Sequence, residues 1–286
     1  MRDDRTTSRR AGLTLRFWFL LPTRLCLALL LAAPLGVICA YSALTRGAYG
    51  GVSLPWTAEN YWRFFDPLYA AILWRSLLMA AVATALCLLL GFPLALFISR
   101  ARNHRGLYLF LVILPFWTSF LVRIYAWLFL LRDTGLVNTS LLRLGVIREP
   151  LSLLYNNGAV LLGLVYGYLP FMILPLYATL ERLDPALLEA AADLGARPLP
   201  ALLRVVIPLS GPGIRAGSIL VFIPCVGAFL TPDLMGGGKT VMIGNLVQNQ
   251  FTTARDWPFG SAVSLALMAI VVLLVVLFLR RGEEEL

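Results

Sequence analysis

The sequence predicts an all-α polytopic membrane protein, and three observations support this fold class. Of the 286 residues, 59% are hydrophobic and only 14% are charged, whereas about a quarter of the residues of a soluble domain are charged. Apolar stretches long enough to cross a bilayer recur along the chain. These stretches are continuously apolar and do not alternate, which favours spanning helices over the strands of a membrane barrel.

Six segments meet the requirement of about 20 largely apolar residues for a transmembrane helix. They are residues 25–44, 76–99, 107–131, 158–180, 213–235 and 259–279. Several contain glycine or proline, which membrane helices tolerate because neighbouring helices satisfy the freed backbone groups. We therefore expect kinked helices in a single bundle.

The distribution of basic residues predicts the orientation. Arginines near the ends of the spans are more numerous on the side that holds both termini, so both termini are expected to be cytoplasmic. The first apolar run exceeds the 7–15 residues of a typical signal-peptide core, which favours an uncleaved helix. The expected division is a cytoplasmic segment 1–24, a first helix 25–44, an outer loop 45–75 with interfacial aromatic residues, a five-helix core 76–280, and a cytoplasmic tail 281–286.

Composition also argues against several classes of function. The single histidine, His104, and four cysteines without a CxxC pair predict no metal site. The net charge of +9 comes from short basic clusters between apolar runs, which indicates membrane topology and no nucleic-acid partner. Residues 236–240 resemble the end of a phosphate-binding loop, but Asp233 stands where its first glycine is required. We expect no nucleotide, metal or catalytic site, and a turn that is mobile or serves an outer gate.

The connection at residues 181–209, which we call the inner loop, contains its own helix signals. Asp184 is a suitable N-cap and Pro185 fits the first helical position, while Gly195 can adopt the left-handed conformation that ends a helix. These signals predict a helix from Pro185 to Leu194 and a second one from about Pro198 to Ile207. The first helix either docks against a partner or packs across the base of the bundle.

The inner loop resembles the signature of the inner-membrane permeases of ABC importers. That signature reads Glu-Ala-Ala, three residues, Gly, nine residues, Ile, any residue, Leu-Pro. The matching residues here, two of them conservative departures, are Glu189, Ala190, Ala191, Gly195, Val205, Ile207 and Pro208. The resemblance implies a type I importer bundle of six helices in the bacterial cytoplasmic (inner) membrane, whose inner loop contacts an ATPase subunit.

The resemblance extends over roughly residues 75–280, and three shorter segments are similar to the spermidine/putrescine branch of this family: residues 116–127, 242–245 and 255–260. It implies a second permease subunit, two ATPase subunits that use ATP and Mg²⁺, and an extracytoplasmic binding protein as partners, with membrane lipid around the bundle. It also implies that this chain holds no cofactor and transports a polyamine. An importer for another small solute and an ion-coupled secondary transporter are the alternatives.

Candidates for the transport pathway come from residues inside or near the spans. Asp233 is an acidic residue near a span end, which suits a cationic substrate or a simple interfacial position. Trp117, Tyr125 and Tyr166 could attract an amine through cation–π contacts or could merely pack. Arg123 would repel a polyamine, so we expect it to reach the membrane surface or pair with an acidic group, with anion binding as the minor alternative.

Overall fold

The computed structural model describes the backbone of residues 4–101 and 103–283 and the side chains of residues 20–101 and 103–280. The arginines before residue 20, Arg102 and the expected tail at residues 281–286 lie outside the residues whose side chains are described. The helices are α1 (Asp4–Ser42), α2 (Glu59–Phe64), α3 (Pro67–Arg100), α4 (Arg105–Ile113), α5 (Phe120–Leu131), α6 (Leu136–Arg143), α7 (Asn157–Leu180), α8 (Pro185–Asp193), α9 (Pro198–Ala201), α10 (Ile207–Leu209), α11 (Gly211–Val226), α12 (Leu230–Gly236), α13 (Ile243–Thr252) and α14 (Trp257–Glu283).

The expectation of an all-α chain is wrong at one place, because the outer loop contains a short hairpin. Strands β1 (Leu44–Arg46) and β2 (Val52–Trp56) pair antiparallel. The turn between them uses Gly50 and Gly51, whose φ angles of +90° and +77° suit glycine far better than other residues. The two glycines allow the chain to reverse its direction. The sequence analysis predicted only an interfacial aromatic segment here and did not predict the hairpin.

Among the described residues, four helices are long and apolar enough to cross a membrane unaided: Leu20–Ser42, Pro67–Arg100, Asn157–Leu180 and Trp257–Arg280. Two further candidates are bent pairs of helices, which raise the number of spans to as many as six. The pair Arg105–Trp117 and Phe120–Arg143 bends by 89°, and the pair Pro198–Leu209 and Gly211–Val226 bends by 68°. The first bend interrupts the third predicted span. The fifth predicted span, residues 213–235, is also discontinuous, because α11 ends at Val226 and α12 begins at Leu230.

Proline and local backbone geometry explain the first bend. A 3₁₀ turn, Leu114–Trp117, contains Pro115 and follows α4. Thr118 and Ser119 then have extended backbone angles, with ψ of 149° and 139°. Two extended residues interrupt the helical hydrogen bonds, so the chain changes direction before α5 begins.

Two compact units make up the chain, and the larger comprises Phe65–Asn249 and Ala269–Leu286. Its centre is formed by α3, α7 and α11, which pack closely through small residues. A Cβ at Gly217 would lie 2.7 Å from the Met172 sulfur, and one at Gly213 would lie 2.9 Å from the Pro175 carbonyl oxygen. Small residues let membrane helices approach in this way, so these three helices form a tightly packed core.

The smaller unit comprises Met1–Phe64 and Gln250–Met268. Within it, Arg63 donates to Asp256 at 3.0 Å and lies over the Phe259 ring at 4.2 Å. The Asp256 carboxylate is almost fully buried and also accepts a hydrogen bond from the Phe259 backbone. A paired and hydrogen-bonded buried carboxylate fixes the local geometry of this unit.

Candidate functional site

The first half of the inner loop is the helix that the sequence predicts. The Asp184 carboxylate accepts a hydrogen bond from the Ala186 backbone at 2.9 Å, and Pro185 occupies the first turn of α8. The helix ends at Asp193, one residue before the predicted end. The prediction of a capped helix here is confirmed.

Gly195 ends α8 in the predicted left-handed conformation, with φ of +79°. The Ala196 amide donates to the Ala191 carbonyl at 3.0 Å, and the Gly195 amide donates to the Ala192 carbonyl at 2.8 Å. These two bonds form a Schellman motif, which satisfies carbonyl groups that the helix end would otherwise leave free. The turn after α8 is consequently well defined.

The second half of the inner loop is helical but irregular. After α9, a π-helical turn covers Leu202–Val206 and includes Val205, while Ile207 and Pro208 form most of α10. The Ser210 hydroxyl donates to the Val206 carbonyl at 2.6 Å, and Val206 is buried. The signature residues at the end of the loop thus lie where the chain enters the bundle.

The inner loop exposes apolar side chains on its outer surface. Glu189 and Ala190 are exposed and Ala191 is half-buried, while the Leu194 side chain is 89% exposed. The other side of α8 faces the bundle, because Leu183 and Leu188 line a cavity of about 400 Å³ with the end of α3. Packing across the base of the bundle therefore accounts for only one side of α8, and the exposed side remains available to a partner.

An ion pair that the sequence analysis missed lies beside this loop. The Arg105 guanidinium, in the first turn of α4, contacts the Glu181 carboxylate at the end of α7. The two residues are 76 positions apart in the chain. The only sequence signal for the pair is that each residue lies near one end of a predicted connection on the inner side.

The structure does not gather the pathway candidates into one site. Asp233 is exposed on α12 and Trp117 is 75% exposed in the 3₁₀ turn. Tyr125, on α5, and Tyr166, on α7, are 45% and 38% exposed, and Tyr166 stacks edge-on against Trp127 at 5.4 Å. Among the described residues, no ring contact joins Trp117, Tyr125 and Tyr166 to one another. Their roles stay predictions.

Arg123 differs from the expectation that it reaches the surface or pairs with an acid. Its guanidinium lies over the rings of Phe116 and Phe120, at 4.5 Å and 5.5 Å from their centroids. The Nε and Nη1 atoms are buried and have no hydrogen-bond partner within the described part of the chain. Aromatic faces thus take the place of the expected carboxylate.

The glycine-rich turn at residues 236–240 is held by several bonds, which differs from the mobile turn we expected. Asn157 accepts hydrogen bonds from Thr240 at 2.8 Å and from Arg75 at 2.7 Å. Gly237 has φ of +55°, and a Cβ there would lie 2.2 Å from the Tyr155 ring. Within residues 4–101 and 103–283, no group of three or more His, Cys, Asp or Glu residues could hold a metal ion.

Comparisons with known proteins place these features in context. Residues 88–282 match the family described as "Binding-protein-dependent transport system inner membrane component". The spermidine/putrescine transport system permease protein PotB of Haemophilus influenzae is 46% identical over 86% of this chain and 87% of its own length. The protein of the same name from Escherichia coli is 46% identical over 90% of this chain and 94% of its own.

A more distant relative and a solved structure extend the comparison. The inner membrane ABC transporter permease protein YdcU of Escherichia coli is 36% identical over 80% of this chain and 77% of its own length. A chain in the crystal structure of a bacterial ABC transporter involved in the import of the acidic polysaccharide alginate superposes with a TM-score of 0.74. It covers 98% of this chain and 99% of that chain at 17% identity, which shows the shared fold. With several membrane helices and a family match over most of its length, this multi-pass chain belongs to the inner membrane components of binding-protein-dependent transport systems.

Proposed function

We propose that this chain is the membrane-spanning permease subunit of an ABC importer that moves spermidine or putrescine inward. The observation that carries the proposal is the 46% identity, over 86–90% of this chain, to permeases named for those two polyamines. The chain itself carries out no chemical reaction in this proposal. ATP and Mg²⁺ are used by separate ATPase subunits, and this chain binds neither.

The inner loop supplies the contact with the ATPase in this proposal. A short helix that is capped at both ends can pass on a movement without unfolding, and the exposed Ala190 and Leu194 leave its outer side free to dock. The signature residues Glu189, Gly195, Val205 and Pro208 are assigned to this contact on the strength of the family match. One ATPase subunit would dock here and the other on a second permease subunit.

This proposal has six spans with both termini in the cytoplasm. They are the four unbroken candidates, the bent pair that begins with α4, and α11 together with α12, while Pro198–Leu209 stays in the inner loop. Residues 1–24 then form a cytoplasmic segment, residues 25–44 the first span, residues 45–75 the outer loop, residues 76–280 the core, and residues 281–286 the tail. The proposed outer partner is a solute-binding protein. A chain of similar fold is found in the crystal structure of a bacterial alginate ABC transporter in complex with alginate pentasaccharide-bound periplasmic protein, which supports a partner of that kind.

A polyamine is compatible with the charges of the proposed pathway residues. Asp233 is an exposed carboxylate that could attract an ammonium group. The Arg123 Nε and Nη1 atoms are buried, so this side of the guanidinium does not face a water-filled pathway. Trp117, Tyr125 and Tyr166 offer exposed ring faces for cation–π contacts.

Uptake by the complete reconstituted system tests the proposal. Proteoliposomes that contain both permeases, the ATPase and the binding protein should accumulate labelled spermidine only with ATP inside, and unlabelled putrescine should compete. The ATPase should also remain bound to the permeases in detergent. Assembly of the complex without ATP-dependent polyamine uptake would refute the substrate, and a permease that never retains an ATPase would favour the ion-coupled alternative.

A further inference from the structure

The Arg105–Glu181 pair connects two segments that are far apart in the chain. Arg105 is the first residue of α4, and Glu181 directly follows α7 at the start of the inner loop. The side chains are 53% and 35% exposed, so water weakens their attraction. Such a pair can open and close reversibly, which a deeply buried pair could not do as easily.

Helix α4 contacts the bundle through few groups, one of which is the Tyr108 ring, whose centroid lies 5.3 Å from that of the Phe97 ring of α3. None of its residues is buried. A cavity of about 340 Å³ lies between α4 and helices α3 and α7, with Tyr108 and Val112 of α4 among its lining residues. At the far end, Phe116 contacts Phe171 of α7 edge-on, with ring centroids 5.3 Å apart. The near end is held by the ion pair, roughly 15 Å further along α7 at 1.5 Å per residue.

Glu181 is also closely connected to α8. Its amide donates to the Tyr177 carbonyl at 2.8 Å, and the Leu183 amide donates to the Leu180 carbonyl at 3.3 Å. The Asp184 cap then begins α8 without an intervening flexible segment. Because only three residues separate Glu181 from Pro185, a displacement of α8 pulls directly on the end of α7 that carries the Glu181 carboxylate.

We propose that the Arg105–Glu181 pair is a positioning contact that makes α4, and with it the bent pair of helices, follow the movement of the inner loop. The empty space under α4 and its lack of buried residues allow this helix to shift. The ion pair determines whether it shifts together with α8. This inference rests on the proposed function, because it assigns the pair a part in transmitting ATP-driven movement.

A charge swap tests the inference in proteoliposomes of the complete system. The measured quantity is the amount of spermidine taken up per ATP hydrolysed. Arg105→Glu and Glu181→Arg each create a like-charge contact and should lower this ratio about fivefold, as expected for directly interacting residues. The double variant restores opposite charges and should return the ratio to within about twofold of the original protein. Arg105→Gln, which only removes the attraction, should give a smaller fall.

The matched control is Arg280→Glu, because Arg280 is an exposed arginine on α14 that has no ion pair among the described residues and does not line the cavity beside the inner loop. It should leave the ratio unchanged. A double variant no better than the worse single variant, or single variants that keep the full ratio, would overturn the inference. If the unaltered protein shows no ATP-dependent polyamine uptake, the proposed function itself fails. Thermal unfolding of each variant separates loss of transmission from loss of folding.

Discussion

Replacement of Gly195 by alanine offers a sharp test of the inner loop. Gly195 has φ of +79° and closes the Schellman motif after α8. A Cβ at this position would meet no atom within 4 Å. The substitution therefore adds no steric clash, and its effect comes from the backbone conformation alone.

The cost of placing alanine in the left-handed region is about 1–2 kcal/mol. A free energy of this size corresponds to a factor of about 5–30 in an equilibrium constant. If the ATPase subunit binds the loop only when α8 and its turn are intact, its affinity for the permease should fall by up to this factor. Gly195→Asn should cost less, because asparagine tolerates this region better than alanine does.

The assay is retention of the ATPase subunit on the detergent-solubilised permease over a range of ATPase concentrations. Gly145→Ala is the matched control. Gly145 ends α6 in the same motif, with φ of +70° and no atom within 4 Å of an added Cβ. Both variants should lose similar thermal stability, but only Gly195→Ala should weaken ATPase binding. Equal effects on binding would refute the assignment of the inner loop as the docking element.

Three further substitutions test other parts of the structure through thermal unfolding. Arg123→Met should be neutral or stabilising by about 1–3 kcal/mol, because it removes buried nitrogens without acceptors; destabilisation would reveal an acceptor in the assembled complex. Asp256→Asn should cost about 1–2 kcal/mol through weaker charge-assisted bonds, and an unchanged unfolding temperature would contradict this. Gly237→Ala should cost more than Gly238→Ala, since both have positive φ but only Gly237 faces Tyr155; equal losses would show that the clash is relieved at no cost.

Local rules were sufficient for the inner helix. Asp184, Pro185 and Gly195 lie next to the groups that they cap, so their effect depends on a few neighbouring residues. The spans followed from hydropathy for the same reason, since a run of apolar residues needs no distant partner to favour the bilayer. Prolines indicated kinks, but the 89° bend after Pro115 also depends on the extended conformation of Thr118 and Ser119.

Long-range contacts could not be predicted in this way. The charges of Arg105 and Glu181 are visible in the sequence, but their pairing follows from how α4 returns to α7. Among the described residues Arg123 has no acidic partner, and its guanidinium lies instead over the rings of Phe116 and Phe120. The outer hairpin was missed because two glycines at a turn carry a weaker signal than the aromatic residues around them.

The larger unit combines a rigid part with a movable part, and the difference lies in side-chain size. Helices α3, α7 and α11 contain glycines at contacts where a methyl group would clash, so a relative movement between them would require repacking of the whole core. Helix α4 has no buried residue and lies beside a cavity, so its movement costs much less. An importer must open alternately to each side of the membrane, which requires elements that move against a fixed frame. In this chain the bent pair of helices that begins with α4 is the movable element, and the Arg105–Glu181 pair joins it to the inner loop.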